Sequence, residues 1–246
     1  MQKSMRLFRL SPPVERDWAE IPLPRSDLLA GLSLKAAGDM RLGDPRRAEL
    51  FRRLGIDPGR VYALKQVHSM RIVRVAEEGP EALPAQEGGD GLITDRPRSV
   101  LSVTVGDCLP IFLVHRSGRA FALLHSGWRG TGIVAEAVRL LASEYGVPPR
   151  ELAAVLGPGI GPCCYAVEAV RYESFLRRFG QRAVREEAGR FYIDLKAANA
   201  ELLAASGVEE VAASEECTAC TPWLSSFRRD GPGFARMVAF IGGWEQ

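Results

Sequence analysis

The chain has 246 residues, enough to bury a large core, and its 46% hydrophobic and 25% charged residues match a soluble globular protein. A net charge of +2, with basic residues spread along the chain, argues against nucleic acid or an acidic membrane surface as a partner. The stretch MQKSMRLFRLSPPVERDW has no apolar signal core, and no apolar run approaches the ~18 residues of a membrane span, so a cytoplasmic protein is expected, its five cysteines acting as thiols or ligands and not as disulfides.

No repeat, low-complexity tract or long linker divides the sequence, so one domain over 1–246 is expected. VYALKQVHSMRIVRV (61–75) reads as two short strands around a turn, and EEGPEALPAQEGGDG (77–91) as a loop. SVLSVTVGDCLPIFLVH (99–115) and AFALLHSG (120–127) read as buried strands, rich in Val, Leu, Ile and Phe. GIVAEAVRLLASEYG (132–146) places apolar residues at helical spacing and ends on glycine, which predicts a helix. ELAAVLGPGIGPCCYAV (151–167) is a strand running into a glycine-rich turn. YIDLKAANAELLAASG (192–207) is a strand end followed by a helix, and FARMVAFIGG (234–243) is a closing strand. Strands and helices are mixed, and the unusual residues sit in loops after strands.

Three of those residues are His68 in KQVHS, Cys108 in VGDCLP and His125 in LLHSGW. Two imidazoles and a thiolate make a zinc ligand set with an open fourth position, the arrangement of a catalytic site. The three come from separate segments, without the short spacing of a zinc finger, and the alternative of two satisfied polar histidines and a buried thiol stands beside it. His115, in LVHRSGR at a polar strand exit, reads as a surface residue. The Cys-x-x-Cys of CTAC (217–220) invites a redox or zinc reading, but no second cysteine pair is expected to complete a structural zinc site, so two ordinary thiols are expected.

Taken in order, KQVHS, GDGLIT, VTVGDCLPIFL, LLHSGWRGT, LGPGIGPCCY, DLKAAN, CT and SFRRD give the chain a resemblance to the bacterial laccase-domain family, from about Gly31 to about Gly242. That family carries two names, multicopper polyphenol oxidase and purine nucleoside phosphorylase. The resemblance implies an α+β fold, a single four-layer α/β/β/α domain with mixed sheets, and a catalytic zinc at His68, Cys108 and His125. It also implies phosphorolysis of adenosine, inosine, guanosine and S-methyl-5′-thioadenosine to free base and sugar 1-phosphate, with adenosine deamination as a second activity. The partners would be purine nucleosides and phosphate, and the protein a monomer or small homo-oligomer.

The family name also admits copper. A blue multicopper oxidase, however, holds one copper with two His and a Cys, plus a trinuclear cluster that needs several more histidines. With three histidines in the chain, a single chain cannot supply both. Phosphate calls for cations and backbone N–H groups, and the candidates are Arg129 in GWRGT, Arg228 and Arg229 in SSFRRDG, and Lys35 in GLSLKAAG. LGPGIGPCC is a candidate backbone nest or only a tight turn. Asp107 is a candidate to orient a metal ligand from behind, or else to cap a turn. Trp128 and Tyr165 are candidates to stack on a base, against a plain packing role. Cys163 and Cys164 match family positions but, being adjacent, need not be ligands.

The sequence departs from the family pattern on the substrate side. Lys35 stands where the family usually has Arg, which turns a bidentate anion contact into a point charge. The usual Gly-Gly-Ser loop has become AAGDMRLG, and Ala166 follows CCY where Glu is common. Two other functions therefore stay open. One is a thiol hydrolase in which His68 or His125 activates Cys108; the other is a metal- or nucleoside-binding protein without turnover.

Overall fold

The computed structural model describes residues 5–11, 16–76, 88–118 and 120–243; most of the expected 77–91 loop, residues 77–87, lies outside the described residues. In chain order the elements are β1 (Arg6–Phe8), β2 (Trp18–Glu20), β3 (Leu28–Ser33), α1 (Pro45–Arg53), β4 (Val61–Tyr62), β5 (Ile72–Arg74), β6 (Gly91–Thr94), β7 (Val100–Val105), β8 (Leu109–His115) and β9 (Phe121–Ser126). There follow α2 (Ile133–Tyr145), β10 (Leu152–Leu156), β11 (Ala166–Val167), α3 (Ala169–Phe179), β12 (Val184–Glu187), β13 (Arg190–Ile193), α4 (Leu195–Ala205), β14 (Glu210–Ser214), α5 (Phe227–Asp230) and β15 (Met237–Gly243).

The fold is α+β, built on two large sheets. A seven-stranded sheet runs β1-β14-β10-β8-β9-β6-β5, a five-stranded sheet runs β2-β3-β15-β7-β4, and a small β11-β13-β12 sheet stands apart. The seven-stranded sheet is mixed: β10–β14 and β5–β6 are parallel, while β8–β9 and β8–β10 are antiparallel.

The side-chain alternation of the central strands explains the layering. On β8, Ile111 and Leu113 point to the cluster that holds Val134 and Leu141 of α2, Phe175 of α3 and Leu203 of α4. Phe112 and Val114, one residue out of step, point instead to a second cluster with Leu101 and Val103 of β7 and Ala239 and Ile241 of β15. The other face of the five-stranded sheet carries Val100, Val238 and Phe240, which pack on Leu50 and Phe51 of α1. Helix, sheet, sheet and helices therefore stack in four layers. Both faces of the inner strands are buried, which is why the sequence shows continuous apolar runs there and little alternation. Among the described residues no helix is long and apolar enough to cross a membrane.

The predicted strands at 99–115, 120–127 and 234–243 and the helix at 132–146 are present within a few residues. No element was expected before residue 61, and that region contains β1, β2, β3 and α1. β1 and β2 are three residues each, while β3 is six residues long and mostly buried. In α1 only Arg47, Leu50 and Phe51 are buried on an otherwise basic helix, so its apolar stripe is narrow.

One segment differs in an instructive way. The two strands expected at 61–75 exist as β4 and β5, but they belong to different sheets, so the chain between them crosses from one sheet to the other. His68 lies on this crossing. The step from β7 to β8 is a second crossing between the same two sheets, and it carries Asp107 and Cys108. His115 is a correction: it is 2% exposed, its Nε2 lies 3.1 Å from Glu151 Oε2, and the strand exit is therefore buried.

Candidate active site

Three local structures bring His68, Cys108 and His125 together. Cys108 immediately precedes β8 and His125 is the penultimate residue of β9. The antiparallel register pairs Leu109 with Ser126 and Pro110 with His125, so these strand ends are neighbours. His68 arrives from the β4–β5 crossing. There Gln66 mimics a strand residue, its Nε2 donating to Thr104 O (2.8 Å) and its Oε1 accepting from Thr104 N (2.7 Å). His68 itself adopts φ +59°, an unusual conformation for a residue with a β-carbon, and its surroundings must hold it there.

What holds it is Asp90, in the turn before β6. Its buried carboxylate accepts from the backbone N–H groups of Val67 (3.2 Å), His68 (3.0 Å) and Ser69 (2.6 Å) and from Ser69 Oγ (2.8 Å). Asp90 Oδ1 also lies 2.9 Å from His125 Nδ1. With Nδ1–H donating to the carboxylate, the ring keeps Nε2 as its free donor atom, the arrangement that orients histidine ligands in metal sites.

One ligand atom from each of His68, Cys108 and His125 falls within 4.8 Å of the others. The two imidazole rings meet edge to face at 5.0 Å between centroids. The backbone leaves room for this: a Cβ on Gly127 would stand 2.6 Å from Cys108 Sγ and 3.6 Å from His68 Cδ2. Only glycine lets the turn after β9 pass so close to the thiol. Two imidazoles and a thiolate at this separation fit one borderline-soft ion such as zinc and leave a position open, His68 being the exposed member of the three.

The electrostatics follow from the same contacts. Burial pushes the Asp90 carboxyl up, but the hydrogen bonds from His125 and Ser69 more than offset this and hold it at about 2. Burial likewise raises the Cys108 thiol, yet facing His125, with hydrogen bonds from both histidines, brings it down to about 7. Burial would lower His125, but the Cys108 thiolate and the Asp90 carboxylate raise it to about 9. In the metal-free protein these shifts favour a thiolate–imidazolium pair, and a metal ion held there would take the place of the imidazolium proton on Nε2.

The triad opens into a cavity of about 690 Å³. Its walls include the rings of Trp128, Tyr165, Phe227 and Phe234 together with Arg171 and Arg228. The Arg171 guanidinium stacks over Trp128 at 4.3 Å and makes no hydrogen bond or ion pair with the described residues. Arg228 lies over Tyr165 at 5.5 Å, donating to the carbonyls of Cys164 and Ala166.

The other expected site residues are placed differently. Asp107 lines the cavity, but its carboxylate accepts from Thr218 Oγ1, Ser226 Oγ and Arg228 N, each at 2.7 Å, so it braces two loops and the role behind a ligand falls to Asp90. Arg229 faces away from the cavity: its guanidinium donates to the carbonyls of Thr218, Thr221 and Leu224 and pairs with Asp230. Lys35 joins the same cluster, its Nζ 3.1 Å from Asp230 Oδ2. Arg129 is exposed beside Trp128, outside the cavity wall. Asp90, Arg171 and Phe234 were not singled out by sequence. The signals for Asp90 were its place in GGDG, a turn leading directly into a buried strand, and in the motif GDGLIT.

Residues 32–243 match the family model described as multi-copper polyphenol oxidoreductase laccase. The chain belongs to this laccase family. It is 33% identical over 254 residues to purine nucleoside phosphorylase YlmD of Geobacillus stearothermophilus, covering 91% of this chain and 93% of the relative. It is also 33% identical over 186 residues to adenosine deaminase RL5 from an unknown prokaryotic organism, with 71% of each covered. The crystal structure of YlmD superposes with a TM-score of 0.86 at 32% identity, covering 95% of this chain and 98% of that one. The laccase name does not match the donor inventory: of three histidines, His68 and His125 meet at the site, while His115 is bonded to Glu151.

Proposed function

We propose that the protein is a zinc-dependent purine nucleoside phosphorylase that also deaminates adenosine. The observation that carries this reading is the convergence of two imidazoles and a thiolate, with Asp90 behind them, on an aromatic cavity large enough for a nucleoside and phosphate. The names of the two relatives support it. The substrates expected are adenosine, inosine, guanosine and S-methyl-5′-thioadenosine.

His68, Cys108 and His125 would hold the metal, which supplies Lewis acidity at an open coordination position. The chain's own residues do the rest. Asp90 keeps His125 in one tautomer and pins the His68 backbone. Trp128, Tyr165 and Phe234 offer apolar faces to a purine and exclude water from the sugar. Arg171, whose guanidinium stacks on Trp128 but makes no hydrogen bond or ion pair with the described residues, is positioned to hold phosphate by charge-assisted hydrogen bonds, with Arg228 as a second cation. In phosphorolysis the C1′–N9 bond breaks, a phosphate oxygen bonds to C1′, and the base leaves with a proton. In deamination water adds at C6 and ammonia departs.

The test is to incubate the zinc-loaded protein with each nucleoside, with and without phosphate, and identify the products. Free base and sugar 1-phosphate only with phosphate, and inosine from adenosine without it, are expected. A zinc-loaded protein that converts no nucleoside would overturn the proposal. The thiolate–imidazolium pair favours one second reading, a thiol hydrolase; activity that persists without metal and is lost on alkylation of Cys108 would support it.

A further inference from the structure

We propose that Cys163, Cys164, Cys217 and Cys220 form a second metal site, a closed tetrathiolate centre that holds one zinc ion and fastens the loop after β10 to the loop after β14. The sequence alone reads CTAC as two ordinary thiols; the topology sets another pair of cysteines beside them. β10 and β14 are parallel neighbours, so the loops leaving their C-terminal ends emerge at the same edge of the sheet. Gly159 and Cys217 continue the ladder as an isolated bridge, and Thr218 N donates to Gly159 O at 3.1 Å. The second cysteine pair, which no Cys-x-x-Cys spacing revealed, is the adjacent pair Cys163-Cys164 carried on the first loop.

One sulfur from each of the four cysteines lies within 4.8 Å of the others. Cys220 Sγ is 3.3 Å from Cys164 Sγ and 3.7 Å from Cys163 Sγ. A tetrahedron with Zn–S bonds of about 2.3 Å has sulfur–sulfur edges of about 3.8 Å, whereas a disulfide requires about 2.05 Å. The spacing is therefore that of ligands around an ion, and all four cysteines are free thiols.

The backbone is shaped for the same purpose. Cys217 Sγ accepts from the N–H of Gly161 at 3.1 Å, while Cys220 N and Thr221 N donate to Cys217 O. Donors of this kind stabilise a thiolate and turn both sulfurs of a Cys-x-x-Cys segment toward one point. A Cβ on Gly161 would stand 3.2 Å from both Cys163 Sγ and Cys217 Cβ, a tight contact, so the loop passes close to the cluster. Four thiolates around a divalent ion leave a net charge of −2, and cations stand close by. Lys196 is fixed by the carbonyls of Ser214 and Glu216, and Arg185 donates to Pro162 O at 3.2 Å.

Four sulfurs saturate zinc, so this centre has no open position and is structural. Its position gives it a task. Cys164 is followed by Tyr165 of the cavity wall, and Cys217 by Thr218, whose hydroxyl donates to Asp107 beside Cys108.

The experiment counts metal in Cys108→Ala protein, which isolates the second site, against the same protein carrying Cys163→Ser and Cys220→Ser. One zinc per chain in the first and none in the second is expected, and cobalt substitution of the first gives thiolate-to-cobalt absorption that the second lacks. Equal zinc in both proteins, or a Cys164–Cys220 disulfide in protein prepared with zinc and without oxidant, would overturn the proposal. Should the triple variant fail to fold, thiol titration of Cys108→Ala decides: its four thiols react at least about tenfold more slowly until a strong chelator is added. Reaction at the same rate with and without chelator would overturn it.

Discussion

Asp90 Oδ1 lies 2.9 Å from His125 Nδ1 and 3.0 Å from the His68 backbone N, so one buried carboxylate positions two of the three candidate ligands. Asp90→Asn keeps the shape but places N–H groups against N–H groups. Zinc affinity should fall about 10- to 100-fold, the usual cost of losing such a partner. Competition with a chelating dye measures it. Asp107→Asn, tested alongside, should leave affinity within about twofold, since Asp107 braces loops through Thr218, Ser226 and Arg228. Equal losses in both variants would remove the distinction drawn between them.

His68→Ala and His125→Ala should each abolish tight zinc retention at the triad and both proposed activities, with the circular dichroism spectrum unchanged. Each removes one of the three candidate ligands. Full activity in either variant would mean that the ligand set is wrong.

Gly127→Ala tests the fit from the backbone side. Its methyl would fall 2.6 Å from Cys108 Sγ, closer than van der Waals contact, so the thiol or the turn must move. The expected result is a protein that folds, as judged by thermal denaturation, but binds zinc at the triad at least about tenfold more weakly. Wild-type affinity would show that the turn gives way instead.

The arginines separate by reaction. Arg171→Ala should lower phosphorolysis about 10- to 100-fold, from the loss of a charge-assisted hydrogen bond of about 1.5–3 kcal/mol, and lower adenosine deamination much less. Arg129→Ala, outside the cavity wall, should change neither reaction more than about twofold. Arg229→Ala should lower thermal stability, because its guanidinium holds the Thr218, Thr221 and Leu224 carbonyls. Sugar 1-phosphate and inosine, measured side by side, give both rates; equal losses of the two in Arg171→Ala would assign that residue to the nucleoside or the fold.

In metal-free protein the Cys108–His125 pair should exist between about pH 7 and about pH 9. Cys108 is lowered from its ordinary value, so its contribution is present at high pH and lost as pH falls through about 7. His125 is raised, so its contribution is present at low pH and lost as pH rises through about 9. Alkylation of Cys108, followed by peptide mass spectrometry, should rise with an inflection near pH 7. An inflection near 9, the ordinary thiol value, would refute the pairing.

The buried strands β7 to β9, the helix α2 and the closing strand β15 were legible in the sequence because their signals are local: apolar runs, 3.6-residue periodicity and a terminal glycine. His68, Cys108 and His125 were legible as unusual residues at strand ends, and the motif order supplied their partnership. The three-residue strands β1 and β2 gave no such signal, and the burial of His115 was hidden because a polar neighbourhood in sequence resembles a surface.

Which segments meet was decided only by the tertiary structure. Nothing between residues 61 and 75 says that the chain changes sheets there, yet that crossing delivers His68 to Cys108 and allows Asp90 to reach both histidines. Nothing in an adjacent Cys-Cys pair and a distant Cys-x-x-Cys says that four sulfurs converge; the parallel pairing of β10 with β14 does that. Arg129 and Arg229 had the sequence context of anion ligands, but Arg171, on a helix with no motif, faces the cavity. Local pattern follows from one residue's preferences and its near neighbours, whereas a site depends on strand order and on the direction in which each side chain leaves its sheet.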